Sequence, residues 1–283
     1  MSWRIAVRHR TGYLYSTAVR ASYNEARMTP TSNRGQHTLE SRLDITPAAR
    51  PLRYLDYWGT TVDAFDVHVA HTELVVTASS VVETAGALDP VHGVGWDTVT
   101  TAYVVDHYAE LLGPSRYVSF EPQVSAAGAA LATEHQPAEA GLAAVAWAHE
   151  QLGYERGRTG VHTTSAEARA AGKGVCQDYT HLALAILRAL GLPARYVSGY
   201  LYPITGNTAS SVGTTAIGES HAWVEFWAGD WVAADPTSLV AVAERHIVVA
   251  RGRDYADVRP LSGVYHGPPA ESLGVKVELT RLR

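Results

Sequence analysis

One thiol, one imidazole and one carboxylate stand in this chain in an order that could carry out acyl transfer: Cys176, His221 and Asp235. Cys176 is the only cysteine in 283 residues, and it opens "CQDYTHLALAILRAL", a stretch with an apolar helical pattern. At the first turn of such a helix a thiol meets unpaired backbone N–H groups and the positive end of the macrodipole, which both favour a thiolate. Gly172 and Gly174 beside it would let the backbone come close to a substrate. The Cys176 amide could point at a developing oxyanion. A thiolate nucleophile also needs a base, and a group that orients the base. "HAWVEFWAGDWVAADPT" reads as a β-hairpin with His221 opening its first strand and Asp235 late in its second. Side chains alternate along a strand, so a turn of odd length places both on one face. A turn at Trp227-Ala228-Gly229 would pair them directly, and one at Ala228-Gly229-Asp230 would set them on a diagonal. Either register lets the carboxylate hold one imidazole nitrogen and leaves the other for Cys176.

Each residue also has a plainer reading. A lone cysteine is most often a small buried hydrophobe, a single histidine is most often structural, and Asp235 could simply cap the turn at "DPT". The three together, in this order and on these elements, favour catalysis. Asp178 and His181 follow the nucleophile on its own helix. Asp178 is a substrate-binding candidate or a complement to the helix dipole, and His181 points about 140° away from Cys176, behind the site. Trp223 and Trp227 share the His221 face and are candidates for cleft wall or core. Arg253, Asp254 and Tyr255 are candidates for substrate binding or for a structural ion pair.

The elements that must position these groups fall into two textures. Residues 1–95 read as an antiparallel β domain, sandwich-like: "RIAVRHR", "SRLDIT" and "DAFDVHVA" alternate, with turn-forming stretches between them. Residues 96–140 read as a helical connection, with a short helix stopped by Gly113-Pro114 and Pro137 opening a later one. Residues 141–283 read as an α+β domain. In it Ser165 caps a short helix closed by Gly172, and the helix after Cys176 ends near Leu190 before Gly191 and Pro193. The Gly/Ser/Thr-rich segment 203–220 reads as a flexible loop running into His221, a candidate lid.

Composition sets outer bounds. With 46% hydrophobic residues the chain can bury a full core, and one cysteine allows no internal disulfide. The net charge of -5, without a long basic run, argues against nucleic acid. No apolar stretch approaches the roughly 20 residues of a membrane span, and the opening "MSWRIAVRHRTGYLYS" lacks a signal-like apolar run. The expectation is a cytoplasmic protein.

"GKGVCQDYTHLALAILRALGLPARYVSGYL", "SHAWVEF" and "WVAADPT" resemble the three blocks of the transglutaminase-like superfamily, in the order and spacing of its bacterial members. "YERGRTGVHTTSAEARAAGKGVCQDYTH" resembles the approach to the nucleophile in that group, and "HIVVARGRDYADVRPLSGVYHG" its C-terminal signature. "VRHRTGYLYSTAVRASYNEARMTP" resembles the bacterial transglutaminase N-terminal domain, with one departure: "YWGTTVDAF" stands where an FGN-like turn is more usual. The resemblance implies a papain-like, transglutaminase-like α+β catalytic core with Cys176 as nucleophile, His221 as base and Asp235 as orienter. It implies acyl transfer at an amide or peptide bond through a thioester, most often hydrolytic and otherwise amine-transferring. The expected substrate is a peptide, a protein or a small amide. No EF-hand-like pattern appears, so no metal or other cofactor is expected. A protein partner could meet the N-terminal β domain. The alternative is a catalytically silent binding module on the same fold.

Other motifs fail on their own terms. "GESHA" lacks the final glycine of a nucleophile elbow, "AAGKGV" lacks the spacing of a phosphate loop, and "HEQLG" lacks the second histidine of a zinc-protease helix. His68 and His71 have opposite strand parity and make a poor metal pair.

Overall fold

The computed structural model describes residues 2–86, 93–203, 211–218 and 220–283. Six strands come first: β1 (Trp3–Val19), β2 (Ser22–Ala26), β3 (Gln36–Thr46), β4 (Leu52–Leu55), β5 (Thr61–Val67) and β6 (His71–Thr84). The period-2 pattern decides their faces. Along β1, Trp3, Ile5, Val7 and His9 are buried while Arg8 and Arg10 are exposed.

Helices follow. α1 (Trp96–Val99) and α2 (Ala102–His107) precede a 3-10 turn at Ala109–Leu111. α3 (Pro122–Glu134) and α4 (Pro137–Glu150) each begin on a proline, whose missing N–H is not needed there. β7 (Gly153–Tyr154) and β8 (Lys173–Gly174) pair in parallel around α5 (Ser165–Ala171). The cap of α5 is Thr164, not Ser165: the Thr164 hydroxyl accepts from the Glu167 amide, and the Glu167 carboxylate accepts from the Thr164 amide. Gly172 closes that helix at φ 63°. α6 (Cys176–Ala189) is followed by β9 (Ala194–Leu201), β10 (Thr215–Gly218), β11 (Ser220–Trp227), β12 (Trp231–Ala234), β13 (His246–Gly252), β14 (Leu261–Tyr265) and β15 (Ala270–Arg281).

Three larger antiparallel sheets result, ordered β10-β15-β1-β6-β3, β14-β2-β5-β4 and β12-β11-β9-β13. The first two enclose Tyr15, Phe65, Leu74, Val76 and Leu261, which makes the N-terminal strands a sandwich completed by the last two strands of the chain. The third sheet carries α6, whose Leu182, Leu184, Ile186 and Leu187 are fully buried. That core also takes in Trp3, Ile5 and Val7 from β1 and Val277 and Leu279 from β15. β1 therefore serves two cores, one at each end. No helix among the described residues is long and apolar enough to cross a membrane.

Two polar devices fix the third sheet. Glu225 on β11 is buried between Arg195 and Arg251, its Oε2 2.7 and 2.8 Å from their Nε atoms, which ties three strands together. Gln36 closes the free edge of β13: its amide donates to Val248 O at 2.7 Å, and its carbonyl accepts from Val248 N at 2.7 Å. In the segment expected to be a loop, Thr215–Gly218 is the strand β10, because the edge of β15 offers it a ladder. Residues 204–210 and 219 of that candidate lid lie outside the described residues.

Candidate active site

Cys176 is the first residue of α6, preceded by Val175 in extended conformation. Asp178 holds this start in place: its Oδ2 accepts from the Val175 amide at 2.8 Å and from the Thr159 hydroxyl at 2.6 Å. Burial pushes the Asp178 carboxyl up, against those two hydrogen bonds, and its Oδ1 is buried without a partner. Asp178 thus positions the loop and the helix start, and it is too enclosed to meet substrate. Gly174 is needed for the same reason, since a Cβ there would sit 2.6 Å from the Asp178 Cβ. Gly172 serves the cap of α5, and Gly174 makes room for Asp178. Among the described residues, the backbone N–H groups of Cys176 and Gln177 meet no acceptor. They are the orphan donors of a helix start.

The hairpin β11–β12 pairs Trp227 with Trp231, so its turn is Ala228-Gly229-Asp230, the diagonal register. His221 and Asp235 share a face, with His221 Nε2 2.9 Å from Asp235 Oδ2. The other imidazole nitrogen is left for Cys176, whose sulfur favours the charged form of His221. The thiol also leans on the Ser220 carbonyl, 4.0 Å away. Asp235 is buried and heavily bonded: Oδ1 accepts from the Thr237 amide at 2.9 Å and Oδ2 from the Ser238 hydroxyl at 2.6 Å. Burial disfavours the His221 imidazolium, but the bond with Asp235 and the nearby Cys176 sulfur outweigh it and push His221 up to about 9. Burial likewise opposes the Asp235 carboxylate, yet the bonds from His221 and Ser238, with the His246 ring nearby, hold it well below the usual carboxylate range. The arrangement stores a proton on the imidazole beside a sulfur, with a fixed negative charge behind it.

His246, at the start of β13, is a fourth member that the sequence did not single out. Its Nε2 lies 3.6 Å from Asp235 Oδ2, while its Nδ1 accepts from the Ala243 amide at 3.3 Å. Burial pushes it down, so it presents a neutral N–H towards Asp235 from beyond hydrogen-bond distance, and that nitrogen is buried without a partner. Its only sequence signal was its place at the head of the C-terminal signature. The His221, Asp235 and His246 ligand atoms lie within 4.8 Å of one another, a spacing a metal could use. A cation there would have to displace the 2.9 Å His221–Asp235 bond.

The remaining candidates fall away from the thiol. Trp223 is fully buried beneath the pair, its ring 5.3 Å from His246 and 6.1 Å from His221. It supports the site and walls no cleft. Gly199 makes room for it, since a Cβ there would lie 2.7 Å from the Trp223 ring and 2.0 Å from Ile247 O. Trp227 packs on Tyr108. His181 is buried behind the site, stacked on Tyr117 at 5.4 Å, and accepts from the Tyr255 amide at 3.3 Å. Asp254 is buried and accepts from the Tyr117 amide at 3.0 Å and the Ala256 amide at 2.8 Å. Arg253 pairs with Asp257 at 2.9 Å on the surface. Both hold the segment that carries Tyr255, and neither touches the thiol.

Residues 5–83 match the family model of the bacterial transglutaminase-like N-terminal region, and residues 125–236 match that of the transglutaminase-like superfamily. An uncharacterized protein of Mycobacterium leprae is 46% identical over 280 residues, 99% of each chain. One of Mycobacterium tuberculosis is 32% identical over 284 residues, covering 93% of this chain and 88% of its own. A protein-glutamine gamma-glutamyltransferase of Pseudomonas aeruginosa is 37% identical over 73 residues, 24% of this chain and 10% of that one. Among solved structures, a proposed cysteine protease of Cytophaga hutchinsonii has the same fold. Its TM-score is 0.77 at 22% identity, covering 100% of this chain and 92% of that one.

Proposed function

From the premise that the chain belongs to the transglutaminase-like superfamily, we propose that it is a cysteine-dependent enzyme acting on amide or peptide bonds. One observation carries the reading: His221 stands between the only thiol of the chain and a buried carboxylate 2.9 Å away. Packing requires no such alignment. Cys176 is the nucleophile, His221 the proton carrier and Asp235 the group that orients His221.

The steps follow from the geometry. The Cys176 thiolate adds to the amide carbon, and the new oxyanion lies toward the free N–H groups of Cys176 and Gln177. The C–N bond breaks as His221 gives its proton to the departing amine, leaving a thioester. Water then loses a proton to His221 and attacks the thioester, releasing a carboxylic acid and restoring the thiolate–imidazolium pair. An amine could take the place of water. We favour water because Cys176 is partly open to solvent, and selective transfer to an amine requires its exclusion.

The test is trapping with hydroxylamine during turnover of a peptide and amide panel. The expected products are a carboxylic acid without the trap and a hydroxamate with it, and neither from Cys176→Ala. A wild type that cleaves nothing, with a thiol inert to alkylation, would leave a binding module on the same fold. A new amide formed with an added amine, in preference to the acid, would make it a transamidase.

A further inference from the structure

On the α5 side of the thiol a second cluster is left over by this chemistry. Tyr117 is buried, and its hydroxyl joins two loops: it accepts from Arg259 Nη2 at 3.1 Å and lies 3.1 Å from His162 Nδ1. Arg116 lies over the same ring at 5.5 Å. The loop that carries His162 is tied to the nucleophile's own helix, since the Thr159 hydroxyl donates to Asp178, two residues from Cys176. From the other bank, Tyr255 lies within electrostatic reach of Cys176, Arg259, Tyr117 and Tyr13. Pro260, next to Arg259, borders a small hollow whose wall includes Ser220, the residue that meets the thiol.

What this cluster lacks is an acid. Arg27, on the same hollow, is neutralised by Glu25 at 2.9 Å and Asp56 at 3.2 Å, and Arg253 by Asp257. Arg259 is only half-buried, and among the described residues it has no carboxylate partner. A guanidinium presents five N–H donors in a planar fork, and the Tyr117 hydroxyl engages one nitrogen. A partly desolvated cation held in place by a buried tyrosine, with unused donors next to the hollow that Pro260 and Ser220 border, is a receptor for an anion. One fixed positive charge flanked by hydroxyls suits a carboxylate, which a guanidinium can take bidentately.

We propose that Arg259, with Tyr117, Tyr255 and His162, forms a carboxylate-binding subsite, so that the substrate is a peptide or amide bearing a carboxylate close to the scissile bond. This rests on Cys176 being the nucleophile. The β1 residue Tyr13 donates its hydroxyl to Leu261 O at 3.5 Å, two residues past Arg259, so the N-terminal strands border the subsite.

The test uses two alkylating reagents that differ in one charge, bromoacetylglycine and bromoacetylglycinamide. Cys176 is the only cysteine, so the stoichiometry of modification reports on it alone. In the wild type the carboxylate reagent is expected to react about tenfold faster relative to its neutral partner than in Arg259→Met, a difference of roughly 1.4 kcal/mol. Arg259→Lys should keep part of the preference, and 1 M salt should reduce it. Melting temperature and circular dichroism confirm that each variant is folded. A rate ratio that is the same in wild type and Arg259→Met would overturn the subsite while leaving the nucleophile intact. A thiol that neither reagent modifies would overturn the nucleophile, and the subsite with it.

Discussion

Replacing Asp235 by Asn removes one negative charge and little else. The Asn carbonyl can still accept from the Thr237 and Ser238 amides, so the turn after β12 keeps its bonds. What changes is the imidazole. His221 is held at about 9, more than two pH units above the ordinary value of about 6.5, against a burial that disfavours its charge. At about 1.4 kcal/mol per pH unit, the partners of the imidazolium contribute roughly 3 kcal/mol beyond what burial removes. The bond to Asp235 is first among the favourable contributions. In Asp235→Asn, His221 is expected to titrate at or below its ordinary value, and alkylation of Cys176 by iodoacetamide should slow several-fold between pH 6.5 and about 9, where only the wild-type imidazole keeps its proton. The sign also fixes a stability window. A raised histidine stabilises the fold below its unfolded value and loses that contribution as the pH climbs through the folded one. The melting temperature of Asp235→Asn should therefore fall furthest below the wild type under pH 6.5, and the gap should close as pH passes about 9. The direct assay is the titration of the His221 ring by NMR in both proteins. A variant His221 that still titrates near 9, with Cys176 alkylated as fast as before, would refute the reasoning.

Two other outcomes follow from neighbouring contacts. His246→Leu removes the N–H dipole that faces Asp235 from 3.6 Å, so the carboxylate should hold the His221 proton more tightly. The same titration should move upward by about half a pH unit, the size of one weak polar contact, and a downward movement would contradict the role given to His246. Gly199→Ala would press a Cβ to 2.0 Å from Ile247 O and 2.7 Å from the Trp223 ring, so β13 must shift. A loss of about 2 kcal/mol in denaturant unfolding is expected, and an unchanged midpoint would show that the strand yields freely.

Where the fold was legible, local chemistry dictated it. The alternation of β1 fixed its buried face, Pro122 and Pro137 sit where a helix start tolerates proline, and Gly191 at φ 93° ends α6 as a glycine after a helix should. The cap of α5 was misread by one residue, because Thr164 and Ser165 are both good caps and only the reciprocal bond with Glu167 separates them. β10 was hidden for a different reason. "TAIG" has no strand pattern of its own, and it pairs only because β15, more than fifty residues further on, leaves an edge beside it. Non-local ladders of that kind leave little trace in a short window of sequence.

The site divides along the same line. His221 and Asp235 lie on one hairpin, so strand parity alone could place them on one face, and the diagonal register found is one of the two that parity allows. Cys176 announces itself by being alone at a helix start. His246 and Arg259 reach the site by another route. β13 pairs with β9, not with the hairpin beside it in sequence, and this crossover brings His246 behind Asp235. The chain then passes through Asp254, which anchors Tyr117, before Arg259 meets the Tyr117 hydroxyl from the far side. Nothing in the spacing of these residues encodes that meeting. Groups that act on the thiol were readable from local order, whereas groups that tune the base or could choose the substrate depend on how distant strands are threaded.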